Sequence, residues 1–417
     1  MKKEVLEIIG GKRLEGKTKV YSAKNAVLPM LAGAMLTKET VTIKDCPFIS
    51  DIENMLKIRD ILSLSTSWSG RDIVASGSVC NNHIPESLAR VMRSSIFMLG
   101  PLLTETGNVK MHLPGGCRIG ARPIDIHLNG LEKLGAKIEV FDNYVLCRGD
   151  RLKGADVVLR YPSVGATENL ISASVKAKGE TTLIGVAREP EVVSFCDMLN
   201  SMGAKIKGAG TSVIKIIGVD NLYGTTIKPV TDRIVAGTII LATALTGGRV
   251  RIDDCCVNHL GALATKLASP NIQIVSSLDS VVVESDGNVK ALDMISGPYP
   301  KFPTDLQPIA TAVLCQGKGQ CVVEEGVFEN RFSYVNELIK MGAKISLLGE
   351  RATVQSAQLI GTEVEATDLR GGAGLVVAGL NAKGTTVVSG VEYIDRGYEE
   401  IEKIFQNLGA KIIRKAL

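Results

Sequence analysis

One phrase recurs along this chain and limits what it can fold into. It reads Leu134-Gly135-Ala136-Lys137-Ile138, then Met202-Gly203-Ala204-Lys205-Ile206, Met341-Gly342-Ala343-Lys344-Ile345 and Leu408-Gly409-Ala410-Lys411-Ile412. The glycines lie 68 residues apart from 135 to 203 and 67 apart from 342 to 409. The interval from 203 to 342 is twice as long, and its midpoint holds a decayed copy, Leu267-Ala268-Ser269-Pro270-Asn271-Ile272. A weaker copy, Ile61-Leu62-Ser63-Leu64-Ser65-Thr66, stands one period before the first. Six units of roughly 69 residues therefore fill the 417.

Each phrase predicts a helix, such as Ile124–Leu134 or Tyr334–Met341, that ends at a left-handed glycine and leads into a short strand such as 138–140. A second phrase alternates with it: an apolar helix, a glycine turn, then a strand. Examples are 170–178 into 181–184, 236–245 into 250–252, 309–314 into 320–323 and 375–380 into 385–388. Helices apolar on every side are buried. Aromatic residues make up only 4% of the chain, so Ile, Leu, Val and Ala must fill the interior, and 43 glycines allow many turns and close approaches. Six such units predict an α/β protein of two pseudo-symmetric halves, three units each, with helices inside and sheets outside. A solenoid would use shorter repeats, and a propeller has no buried helices.

Several function classes recede. The net charge is +4, with no run of five or six basic residues, which gives no support to a nucleic-acid partner. Nine cysteines show no zinc spacing and suit reduced thiols in the cytoplasm. The start is not a signal peptide, and the longest apolar run, 236–245, falls far short of the roughly 20 residues of a membrane span. Gly11-Lys12-Arg13-Leu14-Glu15-Gly16-Lys17-Thr18 matches the phosphate-loop pattern GxxxxGK[ST]. Thr18-Lys19-Val20-Tyr21-Ser22 then alternates like a strand where that loop needs a helix, so a hairpin with glycine turns is expected.

The residues able to do chemistry cluster in loops. Pro114-Gly115-Gly116-Cys117-Arg118-Ile119-Gly120-Ala121-Arg122 sets a thiol among glycines and near two arginines, which favours a reactive thiolate. The other eight cysteines read as packing residues. Lys24 and Asn25 stand beside a helix start, where a lysine can hold an anion. Asp305, in Phe302-Pro303-Thr304-Asp305-Leu306-Gln307, is either a helix cap or a general base. Arg93, Arg331, Arg370 and Arg396 recur where core segments meet turns and suggest a cleft for several anionic groups.

At these residues the chain resembles the UDP-N-acetylglucosamine 1-carboxyvinyltransferases. The resemblance runs the whole length. It takes in Ala23-Lys24-Asn25-Ala26, the Cys117 loop through His127, Pro162-Ser163-Val164-Gly165-Ala166-Thr167, Ala187-Arg188-Glu189-Pro190-Glu191, Phe302–Gln307, Phe328–Phe332, Thr367–Arg370 and Ile394–Glu399. It implies two inside-out α/β barrel domains of three βαβαββ-type units each, residues 1–21 with 230–417 and an inserted 22–229, around a substrate cleft that closes. It implies transfer of the enolpyruvyl group of phosphoenolpyruvate to the 3′-hydroxyl of UDP-N-acetylglucosamine, the first committed step of peptidoglycan synthesis, with no metal and no organic cofactor. By position, Asp305 is the base and Cys117 the acid at C3 of the donor, open to alkylation by the epoxide fosfomycin. Lys24, Arg93, Arg122, Arg331, Arg370 and Arg396 hold phosphate and carboxylate. Asn25, Pro123, Ile124, Asp125, Ile126, Ser163, Val164, Gly165 and Val327 meet the nucleotide sugar. Cys117 and its loop separate this family from the 3-phosphoshikimate 1-carboxyvinyltransferases. The chain departs from the pattern at Arg160-Tyr161, where a lysine is usual, at Val235, where a glutamate is common, and at Ser63–Ser67, which lacks Gly-Ala-Lys.

Overall fold

The computed structural model describes residues 4–113, 115 and 124–416. These form two compact units: residues 4–21 with 231–416, and residues 22–113 with 115 and 124–230. Each unit contains three four-stranded sheets, and every sheet has one design. A parallel pair, for example Asp156–Val158 with Glu180–Ile184, is extended by two antiparallel strands, here Val213–Ile217 and then Lys205–Lys207. Along the chain this unit runs strand, helix, strand, helix, strand, strand. It is the βαβαββ order, and the architecture is an inside-out α/β barrel in each unit.

The second helical phrase supplies the interior. Lys24–Gly33, Leu99–Thr106 and Val164–Ser174 are buried in one unit, and Arg233–Thr246, Gln307–Leu314 and Leu369–Asn381 in the other. Each unit has its own continuous apolar core. Burying a Leu or Ile contributes roughly 1.5–3 kcal/mol, so three helices hidden all round stabilise each barrel from its axis outward. Small residues allow the helices to approach. A Cβ on Gly374 would lie 2.9 Å from the carbonyl oxygen of Pro308 on the neighbouring helix.

The first phrase ends the outer helices as its glycine implies. Gly135, Gly203, Gly342 and Gly409 have φ of 95°, 102°, 95° and 91°. In each, the glycine N–H donates to the carbonyl three residues back, and the next N–H to the carbonyl five back, as in Gly135 to Glu132 and Ala136 to Leu131. The first unit repeats the pattern without glycine: Ser63 has φ of 65°, donates to Asp60, and Leu64 donates to Arg59. The serine carries a conformation that four other units assign to glycine, while the remaining unit ends its helix, Gly261–Leu267, at Ala268 with φ of −55° and does not use it. The helix expected at Tyr334–Met341 divides into a 3-10 turn, Arg331–Tyr334, and a helix, Val335–Lys340.

One expectation is overturned. Glu4–Ile9 and Leu14–Lys19 are both strands, but they form no hairpin. Glu4–Ile9 pairs antiparallel with Thr385–Ser389 and Lys411–Ala416, while Leu14–Lys19 pairs parallel with Gly248–Asp253. Leu14–Lys19 being a strand, no helix begins at Lys17-Thr18, and the phosphate-loop pattern carries no phosphate loop.

Candidate active site

In the unit containing residue 305, the loop after Pro303 forms a 3-10 turn, Thr304–Leu306, that runs into the buried helix Gln307–Leu314. Asp305 does not cap it; no side chain does. Its carboxylate is instead shared between two arginines. Oδ1 accepts from Nη2 of Arg331 at 3.0 Å, and Oδ2 from Nη2 and Nε of Arg370 at 2.9 and 3.2 Å. The arginines are 2% and 3% exposed, and the Asp305 side chain is 28% exposed. One carboxylate at the surface thus faces two guanidinium groups beneath it.

The surroundings hold this arrangement. Asp368 caps the helix Leu369–Asn381 through the N–H groups of Arg370 and Gly371, which sets where the Arg370 side chain begins. Arg331 also donates to the carbonyl of Thr304 from Nε and Nη2. Glu325 accepts from the Thr304 hydroxyl at 2.9 Å and from the N–H of Val327 at 2.9 Å, tying Val327 to the same turn. Tyr398 stacks under Arg370, 5.3 Å from the guanidinium carbon, and its hydroxyl meets Thr238. Arg396 lies on the same turn as Tyr398. Burial alone would lower the pKa of Arg370, but Asp305, followed by Tyr398 and Asp232, outweighs it and keeps the group charged. Its Nη1 is buried and has no hydrogen-bond partner among the described residues.

In the other unit, Lys24 opens its helix 8% exposed and bonds to Asp51, 1% exposed, at 2.5 Å; Asn25 beside it is half-buried. An ammonium has three donors, so this pair is compatible with an anion. Arg93, half-buried, opens the 3-10 turn Arg93–Met98, which packs on both Lys24–Gly33 and Val164–Ser174. Ile124, Asp125 and Ile126 form the half-buried entry to the helix Asp125–Lys133. Ser163 caps Val164–Ser174 through the N–H of Ala166.

The structure joins these two stretches through residues outside the expected set. The Asn169 amide oxygen accepts from the N–H of Gly100 at 2.7 Å, so its nitrogen faces the Ile96 carbonyl at 2.7 Å and Nδ1 of His127 at 2.9 Å. Against a donor, Nδ1 accepts, and buried His127 is the Nε2–H tautomer. Its ring edge lies against Gly165, where a Cβ would be 3.3 Å from Cε1. Arg160, the departure from the family pattern, pairs with Asp125 at 2.5 Å. Val235 donates its N–H to the capping Asp232.

Cys117, Arg122 and Pro123 lie outside the described residues. Among the remaining cysteines, Cys46, Cys147, Cys196, Cys255, Cys315 and Cys321 are buried as expected, but Cys80 is exposed and Cys256 half-buried, so these two are not core packing. Each lies in a loop, where the local pattern of polarity does not report burial. Asp51, Glu325 and Asn169 were missed. Asp51 and Glu325 belong to no quoted motif, whereas Asp368 and His127 stood within two of them. Among the described residues, no group of three or more His, Cys, Asp or Glu is placed to hold a metal.

Two solved structures share the fold over their whole length: the enolpyruvyl transferase NikO from Streptomyces tendae, with a TM-score of 0.88 at 22% identity and full coverage of both chains, and EPSP synthase from Acinetobacter baumannii, with 0.75 at 17% identity, covering 99% of this chain and 100% of that one. The fold is therefore that of the enolpyruvyl transferases. The chain belongs to the EPSP synthase (3-phosphoshikimate 1-carboxyvinyltransferase) family, whose model matches residues 8–405. Within it, this chain is similar to UDP-N-acetylglucosamine 1-carboxyvinyltransferase 2 of Caldanaerobacter subterraneus subsp. tengcongensis, 45% identical, and to the protein of that name in Carboxydothermus hydrogenoformans, 46% identical. Those matches span 98% and 99% of this chain and 99% of each relative.

Proposed function

We propose that this chain transfers the enolpyruvyl group of phosphoenolpyruvate to the 3′-hydroxyl of UDP-N-acetylglucosamine and releases phosphate. The observation that carries the reading is the carboxylate of Asp305, partly exposed over two buried arginines, in a chain whose relatives at 41–46% identity bear this activity as their name. A carboxylate carries acceptor lone pairs on both oxygens, so one that is partly exposed can meet the hydroxyl of an acceptor. Asp305 takes the 3′-hydroxyl proton as that oxygen bonds to C2 of the donor, and Cys117 delivers a proton to C3. Loss of a C3 proton and of phosphate from C2 then completes the exchange. Lys24, Arg122 and Arg396, with Arg93, Arg331 and Arg370, neutralise the phosphate and carboxylate as charge builds. Asn25, Pro123–Ile126, Ser163–Gly165 and Val327 receive the nucleotide sugar. The chemistry as drawn uses no metal and no organic cofactor. Among the described residues no helix is long and apolar enough to cross a membrane, and we place the enzyme in the cytoplasm with its phosphorylated substrates.

The test is phosphate release from phosphoenolpyruvate, with UDP-N-acetylglucosamine or shikimate 3-phosphate as acceptor. Release with the nucleotide sugar alone supports the proposal; release only with the shikimate ester overturns it. Asp305→Ala is expected to lower kcat by a factor of about 100 or more. Mass spectrometry after exposure to fosfomycin is expected to find one adduct, on Cys117; an intact Cys117 would count against its role.

A further inference from the structure

One oxygen of Glu325 gathers three donors at the turn that carries Asp305. Glu325 follows the strand Gln320–Glu324, is buried, and donates its N–H to the carbonyl of Glu350 at 2.9 Å. From this fixed point its Oε1 accepts from the Thr304 hydroxyl at 2.9 Å and from the N–H groups of Val327 and Phe328 at 2.9 and 3.2 Å. Its Oε2 is buried without a hydrogen-bond partner among the described residues, so Oε1 carries the whole arrangement. Thr304 is pinned a second time. Its carbonyl, in the peptide that joins it to Asp305, accepts from Nε and Nη2 of Arg331 at 3.2 and 2.9 Å. The segment 325–331 thus holds Thr304 by hydroxyl and by carbonyl, where the Asp305 side chain begins. The turn Thr304–Leu306 has no side-chain cap, so capping does not supply this order.

We propose that Glu325 is a positioning residue for the transfer. Through the Thr304 hydroxyl it fixes the direction from which Asp305 meets the acceptor hydroxyl, and through the N–H of Val327 it sets the segment assigned to the nucleotide sugar. A single carboxylate oxygen thereby ties the base to part of the acceptor site. Misplacing a reacting group by about 1 Å costs on the order of 100-fold in rate, so such a tie acts on kcat without touching substrate. The inference rests on the roles proposed above for Asp305 and Val327.

The experiment measures kcat, both Michaelis constants and Tm in full-length variants. Thr304→Val keeps the shape of the side chain and removes the hydroxyl; it is expected to lower kcat about tenfold with both Michaelis constants within about twofold. Thr304→Ser restores the hydroxyl and is expected to return kcat to within about threefold of the wild type. Glu325→Gln keeps one oxygen for the three donors and is expected to hold kcat within about threefold. Glu325→Ala loses both ties. It is expected to lower kcat about tenfold and raise KM for UDP-N-acetylglucosamine about fivefold, with KM for phosphoenolpyruvate within about twofold. Adding Thr304→Val to Glu325→Ala is expected to lower kcat no further, because the two residues share one bond. If Glu325→Ala does not fold, Thr304→Val against Thr304→Ser decides the matter. Wild-type kcat in Thr304→Val, no recovery in Thr304→Ser, Glu325→Gln as slow as Glu325→Ala, or multiplying effects in the double variant would each overturn the inference. So would a lower Tm in Glu325→Ala with kcat unchanged. If the wild-type chain itself releases no phosphate, the proposed function fails and this inference with it.

Discussion

Asp305 illustrates how a residue's surroundings choose between two roles that its local sequence leaves open. An aspartate before an apolar helix reads as a cap, yet Arg331 and Arg370 arrive from 26 and 65 residues away and take its carboxylate. Removing it takes from two buried guanidinium groups the carboxylate they share and leaves only the more distant Asp368 and Asp232, so Asp305→Ala is expected to cost roughly 1–3 kcal/mol of stability as well as activity. Inorganic phosphate should restore Tm more in this variant than in the wild type, because an anion can take the vacated place; equal shifts would argue against an anion site. Glu168 makes a different prediction. Buried, with neither oxygen hydrogen-bonded among the described residues, it has a pKa pushed well up, first by burial and then by Glu191 and Glu189. The native state therefore binds more protons than the unfolded chain above the ordinary glutamate range, and stability falls as pH rises from there toward the folded pKa. Glu168→Gln abolishes that loss, so its Tm advantage should be larger at pH 8 than at pH 5. Thiols divide similarly. Burial pushes Cys46, Cys147, Cys196, Cys255 and Cys315 up to about 12, and these should stay unmodified by iodoacetamide at pH 8 while exposed Cys80 reacts.

At the scale of elements, five of the six outer helices among the described residues share one ending, and Gly261–Leu267 departs from it. Gly135 has open space where a Cβ would stand, so Gly135→Ala tests conformation alone and should cost about 1 kcal/mol. Ser63 holds the same conformation with a side chain, and Ser63→Gly should be stabilising by several tenths of a kcal/mol to about 1, read as a rise in Tm. That opposite pair of signs follows from one backbone geometry. These endings, the buried helices and the strands after them were legible because each is a local pattern: a glycine that can reach positive φ, an apolar run with no polar face, a β-rich stretch. Strand pairing was not local. Glycine turns between 9 and 14 suggest a hairpin, but each strand there completes a sheet whose other members lie hundreds of residues on.

Across the whole molecule, the chain's two ends close one barrel. Glu4–Ile9 is an interior strand, with Lys411–Ala416 on one side and Thr385–Ser389 on the other. Leu6 and Ile8 are fully buried from it, so Ile8→Ala should cost roughly 2–5 kcal/mol, and deletion of residues 1–9 should abolish cooperative unfolding by circular dichroism. An unaffected melting curve would mean the strand is dispensable. By itself, the sequence determined the number of units, which helices are buried and where the reactive side chains stand along the chain, since periodicity and turn chemistry act over a few residues. Only the tertiary structure decided that Asp305 answers to two arginines, that Lys24 meets Asp51, that Asn169 sets the proton on His127 and that Arg414 pairs with Asp395. Those contacts join residues 19 to 65 positions apart, and which charge meets which is settled by packing in three dimensions, where a buried polar group must find a partner whatever its distance along the chain.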